Sequence, residues 1–153
     1  MSRLAGTALL LALLVGCGSP SPCVLPPPKV EIRGATGPAT LNVEVASTLE
    51  AQQRGLSGRT SLGANDGMAF VFGSPVDGAF WMKNTSIPLS VAFWDTGGRI
   101  VALFDMEPCG AGPCRRYRPS HPYVGAVEAN RGYFSSHGIG VGDRVRVDAP
   151  ACQ

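Results

Sequence analysis

Phe80-Trp81-Met82 is followed at once by Lys83, Asn84 and Thr85, so a cation, an amide and a hydroxyl stand at the end of a bulky apolar run. The run has the composition of a buried strand, because aromatic-rich segments favour a pleated, covered surface. Pro88 cannot donate to a ladder, so the strand is expected to end before it. A cation or an amide at such a rim must find a partner or reach water. Glu128 carries an acid into a second apolar run, after Val124 to Val127, and Asn130 lies just beyond it. Opposite charges embedded in apolar strands are more cheaply buried together than apart. This predicts that Lys83 pairs with Glu128, or failing that with Asp95. Strand alternation puts Lys83 on the same face as Trp81. The candidate site is the rim formed by Trp81, Lys83, Asn84, Thr85, Asp95, Glu128 and Asn130.

Two functions fit that rim. One is a non-catalytic domain that binds a small molecule, a glycan or an envelope protein. The other is an envelope hydrolase with Glu128 or Asp95 as acid or base and Lys83 as electrostatic stabiliser. No nucleophile–base pair, Gly-x-Ser-x-Gly elbow or phosphate loop can be written down, which favours binding over catalysis. Ser120-His121 and Ser136-His137 are neighbours in sequence, whereas a nucleophile and its base must meet in space. His121 and His137 follow no metal-ligand spacing, so neither a metal nor another cofactor is expected. Asp95, in Asp95-Thr-Gly-Gly98, and Asp143 after Gly142 read first as turn residues. Tyr117, Tyr123 and Tyr133, with Trp81 and Trp94, fit core and rim positions better than a sugar groove. A plain stabilising ion pair would explain Lys83 and Glu128 equally well.

The leader is an address. Arg3 precedes a short apolar segment, Thr7 to Val15, too short to span a bilayer as a helix. Leu14-Val15-Gly16-Cys17 then resembles the lipobox at which bacterial lipoproteins are cut before a lipid-bearing cysteine. Residues 1–16 are therefore expected to be a signal peptide, with Cys17 as the lipidation site and membrane anchor. Gly18 rather than aspartate follows the cysteine, which in a two-membrane envelope resembles an outer-membrane destination on the periplasmic side. Residues 17–28, rich in Ser and Pro, read as an extended tether, and 29–153 as a single domain. The 153-residue chain has a net charge of +2, without the basic footprint of a nucleic-acid binder. Arg115, Arg116 and Arg118 read as a solvated loop. Removing Cys17 leaves Cys23, Cys109, Cys114 and Cys152, an even number suited to disulfides in an oxidising compartment. Cys109-Gly-Ala-Gly-Pro-Cys114 can close on itself, and Cys23 with Cys152 would tie tether to tail.

The elements that must position these groups are short. Val30 to Arg33 alternates like an edge strand and Leu41 to Val45 like a half-buried one. Ser47-Thr-Leu-Glu50 has the spacing of a capping box before a short helix that Gly55 ends. Met68 to Phe72 is a strand and Gly73-Ser-Pro75 a turn. Leu89 to Trp94 and Arg99 to Phe104 form a hairpin around Asp95 to Gly98. Tyr123 to Ala129 is a strand, Asn130 to His137 a turn or a single helical turn, and Arg144 to Val147 the last strand. Seven or eight such strands with one short helix predict a mostly β, β-rich α+β domain. Its expected form is a compact antiparallel sandwich or partly closed barrel.

Several blocks together resemble a known family. They are Gly55-Leu56 with Arg59 and Leu62, Gly67 to Phe72, Phe80-Trp-Met-Lys-Asn-Thr85, Ile87-Pro-Leu89, Ala92-Phe93 with Asp95, Glu128-Ala-Asn130 before Gly132, and Gly138-Ile139 before Gly142-Asp143. They are similar to the bacterial and archaeal family of unknown function marked by the FWMKNT signature, over about Leu41 to Val147. The resemblance implies a small, mostly β, barrel-like domain that is often exported, and implies no chemistry. The chain departs from the pattern at Ala51-Gln52, where the family has Glu-Arg. It departs again at Ser57, in place of Met, and at Ser90, in place of Asp.

Overall fold

The computed structural model describes residues 26–148. The expected leader, Cys17, Cys23 and Cys152 lie outside them. The chain forms β1 (Lys29–Gly34), β2 (Gly37–Ala46), α1 (Leu49–Arg54), β3 (Asp66–Val76), β4 (Leu89–Trp94), β5 (Ile100–Met106), β6 (Tyr123–Asn130), α2 (Tyr133–Ser136) and β7 (Arg144–Asp148). All seven strands join one sheet in the order β5-β4-β6-β3-β2-β1-β7. Every neighbouring pair is antiparallel except β2 and β3, which run parallel because α1 lies in the crossover between them.

The sheet curls until its two edge strands meet at one corner. Arg99 bridges Arg144, and the Val145 amide donates to the Gly98 carbonyl at 2.7 Å. Gly98 has φ of +70°, and a Cβ there would stand 2.8 Å from the Val145 carbonyl oxygen, so the corner requires glycine. The result is a partly closed, half-barrel β domain with two short helices, so the sandwich alternative does not apply.

Each face of the sheet carries its own core. One is built around Val30, Ile32, Leu41, Val127, Trp94 and Phe134. The other holds Met68, Phe70, Val91, Phe93, Met106 and Tyr123 under α1 and the loops 77–88 and 107–122. Every residue of β4 is buried, as a strand covered on both faces demands. Its alternation is clean: Leu89, Val91 and Phe93 join the second core, while Ala92 and Trp94 join the first.

Four local expectations are corrected. Phe80-Trp81-Met82 is not a strand: Phe80 makes one isolated bridge to Tyr117, and residues 83–84 turn. Packing of Phe80 against Phe70 and Phe93, with Met82 buried beside it and Trp81 left exposed, accounts for this composition without a ladder. β1 is not an edge strand, because β7 adds outside it. The helix is capped by Thr48, whose hydroxyl accepts from the Ala51 amide at 3.2 Å, one residue later than a Ser47/Glu50 box would have it. Gly73-Ser-Pro75 falls within β3, at a register shift between Val71 and Val76.

Candidate functional site

Glu128 sits near the end of β6, between Met68 on β3 and Val91 on β4. These are central strands, so the carboxyl is taken into the interior, and the residue is only 5% exposed. Burial alone pushes its pKa up from the ordinary carboxylate range to about 8. Both flanking side chains are apolar, and no protein group donates to the carboxyl among the described residues. No side-chain oxygen or nitrogen there is both enclosed and unpartnered. The Glu128 carboxyl therefore opens onto space, and that space is a cleft of about 400 Å³.

The cleft lies between α1, the outer face of β3 and the loop 77–88. Phe70, Phe72, Phe80 and Tyr123 supply its apolar wall, and Leu49, Trp81 and Lys83 stand among its lining groups. Leu49 and Trp81 are large apolar side chains left 71% and 44% exposed. Exposed apolar groups converging on one concavity mark a binding surface more than scattered ones do. The rings pack edge to face, Phe80 with Phe70 at 4.9 Å and with Phe93 at 5.0 Å between centroids. The Tyr123 hydroxyl donates to the Gly78 carbonyl at 3.2 Å. Its pKa is pushed up to about 12 by burial first and then by the Asp77 carboxylate, partly offset by Arg118. Tyr123 is thus a neutral structural donor.

A network of loop contacts holds the mouth in shape. Gln52 donates to the Val71 carbonyl at 3.0 Å and fastens α1 to β3. The Ser57 hydroxyl donates to the Lys83 carbonyl at 3.1 Å, the Gly58 amide to the Asn84 carbonyl at 2.8 Å, and Ser86 to the Arg59 carbonyl at 3.1 Å. Asn84 is the one described non-glycine residue with positive φ, at 57°, a conformation asparagine tolerates in a tight turn. Met82, buried to 1% exposure, anchors that turn, and the Thr85 amide closes it onto the Met82 carbonyl at 3.1 Å. Across the other side, the Arg116 guanidinium lies 4.6 Å above the Trp81 ring. Two residues before Arg116 the chain is cross-linked by the Cys109–Cys114 disulfide, whose Cα atoms are 5.0 Å apart.

The structure brings Trp81, Lys83, Thr85 and Glu128 into this one cleft and leaves Asn84, Asp95 and Asn130 out of its lining. Asp95 accepts from the Gly97 and Arg99 amides at 2.8 and 2.9 Å in the β4–β5 turn. Asn130 donates to the Leu62 and Gly63 carbonyls at 3.2 and 2.8 Å. The expected ion pair is absent: no described salt bridge within 4.0 Å contains Lys83 or Glu128. Lys83 is exposed on a turn, whereas Glu128 is a buried residue of the sheet. Sequence reading missed the aromatic wall from β3 and the part played by α1. The alternation of Met68, Phe70 and Phe72 on one face of a strand was the available signal.

The half-barrel and its cleft define a small uncharacterised β domain. The chain belongs to the DUF192 family, described as Uncharacterized ACR, whose model matches residues 30–147. Two solved structures are similar to it. A protein of unknown function from Novosphingobium aromaticivorans DSM 12444 is 31% identical with a TM-score of 0.72, over 77% of this chain and 83% of its own. A protein described as a candidate transcription regulator from Sinorhizobium meliloti 1021 is 28% identical with a TM-score of 0.72, over 78% and 92%. No curated protein matches the chain.

Proposed function

We propose that this chain is an exported, lipid-anchored domain that binds a small molecule in the cleft above Glu128. The observation that carries the reading is the carboxyl itself: buried, without a protein partner, and open to a largely aromatic concavity. Buried polar groups in native structures are ordinarily paired, and one left facing a cleft is available to a ligand. The anchor rests on Leu14-Val15-Gly16-Cys17 after an apolar leader. A glycan or an envelope protein is a further ligand class for the same rim. The test is a thermal-shift screen on the chain from Gly18 onward, which carries no lipid, beside its Glu128→Gln variant. Hits that stabilise the parent and lose their effect in the variant support the reading. Hits indifferent to Glu128 count against it. Labelled palmitate should mark the full chain in cells and not Cys17→Ser.

A second reading has one observation in its favour. A carboxyl with a pKa of about 8 is poised to move a proton near neutral pH, as a general acid or base must. Asp95 cannot share that task, because it is committed to the β4–β5 turn. Turnover of a screening hit that is lost in Glu128→Gln while binding persists would establish this enzyme reading over simple binding.

A further inference from the structure

We propose that the cleft is selective for an organic acid, a planar apolar body lying between Phe70, Phe72 and Trp81 with its carboxylate at Lys83 and its inner end accepting a hydrogen bond from Glu128. This rests on the binding reading above and names the ligand class.

Charge around the cleft supports an anion. From α1 comes Arg54, 3.5 Å from Glu50 in an exposed pair. From the loop 77–88 comes Lys83, which has no salt bridge among the described residues, while its carbonyl is held by Ser57. Beside the mouth, Arg116 stacks on Trp81 and likewise has no described carboxylate partner. The nearby Asp77 carboxylate is 2.7 Å from Arg118. Lys83 and Arg116 thus stand at and beside the mouth without a described carboxylate partner, while Arg54 is matched by Glu50, and the one acid lining the cleft is Glu128. Burial keeps that carboxyl protonated through neutral pH, so it faces the cleft as a neutral donor. An organic cation would have to pass the basic mouth and ionise an enclosed acid. An organic anion with an apolar body meets complementary groups at both ends.

Glu128 is flanked by Met68 and Val91, which do not titrate, and the other charged or titratable groups lining the cleft are Arg54, Lys83 and Tyr123. Ionising Glu128 removes a donor and adds a like charge, so affinity for an anion should fall as pH rises through about 8.

Three probes of nearly equal shape, each with a methoxy oxygen as acceptor at the far end of the ring, separate the possibilities: 6-methoxy-2-naphthoate and the corresponding naphthylmethanol and naphthylmethylammonium, measured by calorimetry on the chain from Gly18. Near neutral pH, naphthoate should bind at least about tenfold more tightly than the ammonium, the ratio expected from one favourable charge contact. Lys83→Ala should weaken naphthoate about tenfold and leave naphthylmethanol within about twofold. Raising the pH to about 9 should weaken naphthoate in the parent and leave the near-isosteric Glu128→Gln variant much less affected. Tighter binding of the ammonium, or naphthoate affinity unchanged by Lys83→Ala, overturns the proposal. If the alcohol and the ammonium bind and naphthoate does not, the anion assignment falls while the cleft remains a binding site. If none of the three binds, both fall together.

Discussion

Ser90 and Glu128 lie on neighbouring strands, Ser90 opposite Ala129 and Glu128 opposite Val91. Both are polar and nearly sealed, 2% and 5% exposed. The Ser90 hydroxyl donates to the Asp105 carboxylate and accepts from the Gly132 amide at 2.8 Å. It thus sits in a closed arrangement beside a smaller cavity of about 230 Å³. Glu128 has no such partners and opens onto the larger cleft. A buried polar group that is satisfied holds strands and turns together. One that is buried and unsatisfied costs stability and is available to something from outside. The contrast also explains a departure from the family pattern. Where aspartate is expected at residue 90, serine stands, and Asp105 on the adjoining strand supplies a carboxylate across the ladder.

The sharpest way to break this contrast is to neutralise Glu128. A carboxyl whose folded pKa exceeds its unfolded value holds its proton more tightly when folded. Its contribution is therefore most favourable below the unfolded value of 4.5 and is lost as pH rises to about 8. Glu128→Gln should remove this decline and stabilise the domain near pH 8 by up to roughly 4 kcal/mol, with little change near pH 4. Urea denaturation across that range measures it, and parallel stability curves for parent and variant would refute it.

Ser90→Ala should act in the opposite direction. It strips the Gly132 amide and Asp105 of their shared partner and should cost about 2 kcal/mol. Its effect on the cleft should be nil, so ligand affinity in Ser90→Ala checks that the two sites are separate. Tyr123→Phe, which frees only the Gly78 carbonyl, should cost about 1 kcal/mol by the same denaturation. Lys83→Ala should be smallest, within about 0.5 kcal/mol, because the ammonium is exposed and has no described ion pair. A loss of several kcal/mol in that variant would reinstate the buried pair that sequence suggests.

How well each of these places could be read from the sequence depends on how local its determinants are. Leu89–Trp94 was legible end to end, because Pro88 bars the ladder before it and Asp95 caps the turn after it. The mostly β class followed from the count and brevity of such strands, while the choice between sandwich and partly closed barrel depended on how the edge strands meet. Phe80-Trp81-Met82 was misread because Phe80 packs on rings distant in sequence, Phe70 and Phe93, while Met82 is buried in a turn and Trp81 stays exposed, which composition cannot tell. The position of β1 inside the sheet depends on β7, more than a hundred residues later. Lys83 and Glu128 both line the cleft, but not as the ion pair that sequence suggests. Their separation was not readable, since it is set by the path of a turn pinned to the loop that follows α1.

The central claim is that Glu128 is a buried residue whose carboxyl opens onto the cleft and is left to a ligand rather than to a protein partner. Carbon-13 NMR titration of the Glu128 carboxyl in the chain from Gly18, assigned with Glu128→Gln, tests it most directly. The account predicts a midpoint near 8 in the free domain. A midpoint at the ordinary value of 4.5 would show that water solvates the carboxyl, and one below it that a cation or a set of donors already holds the carboxylate; either would contradict the claim.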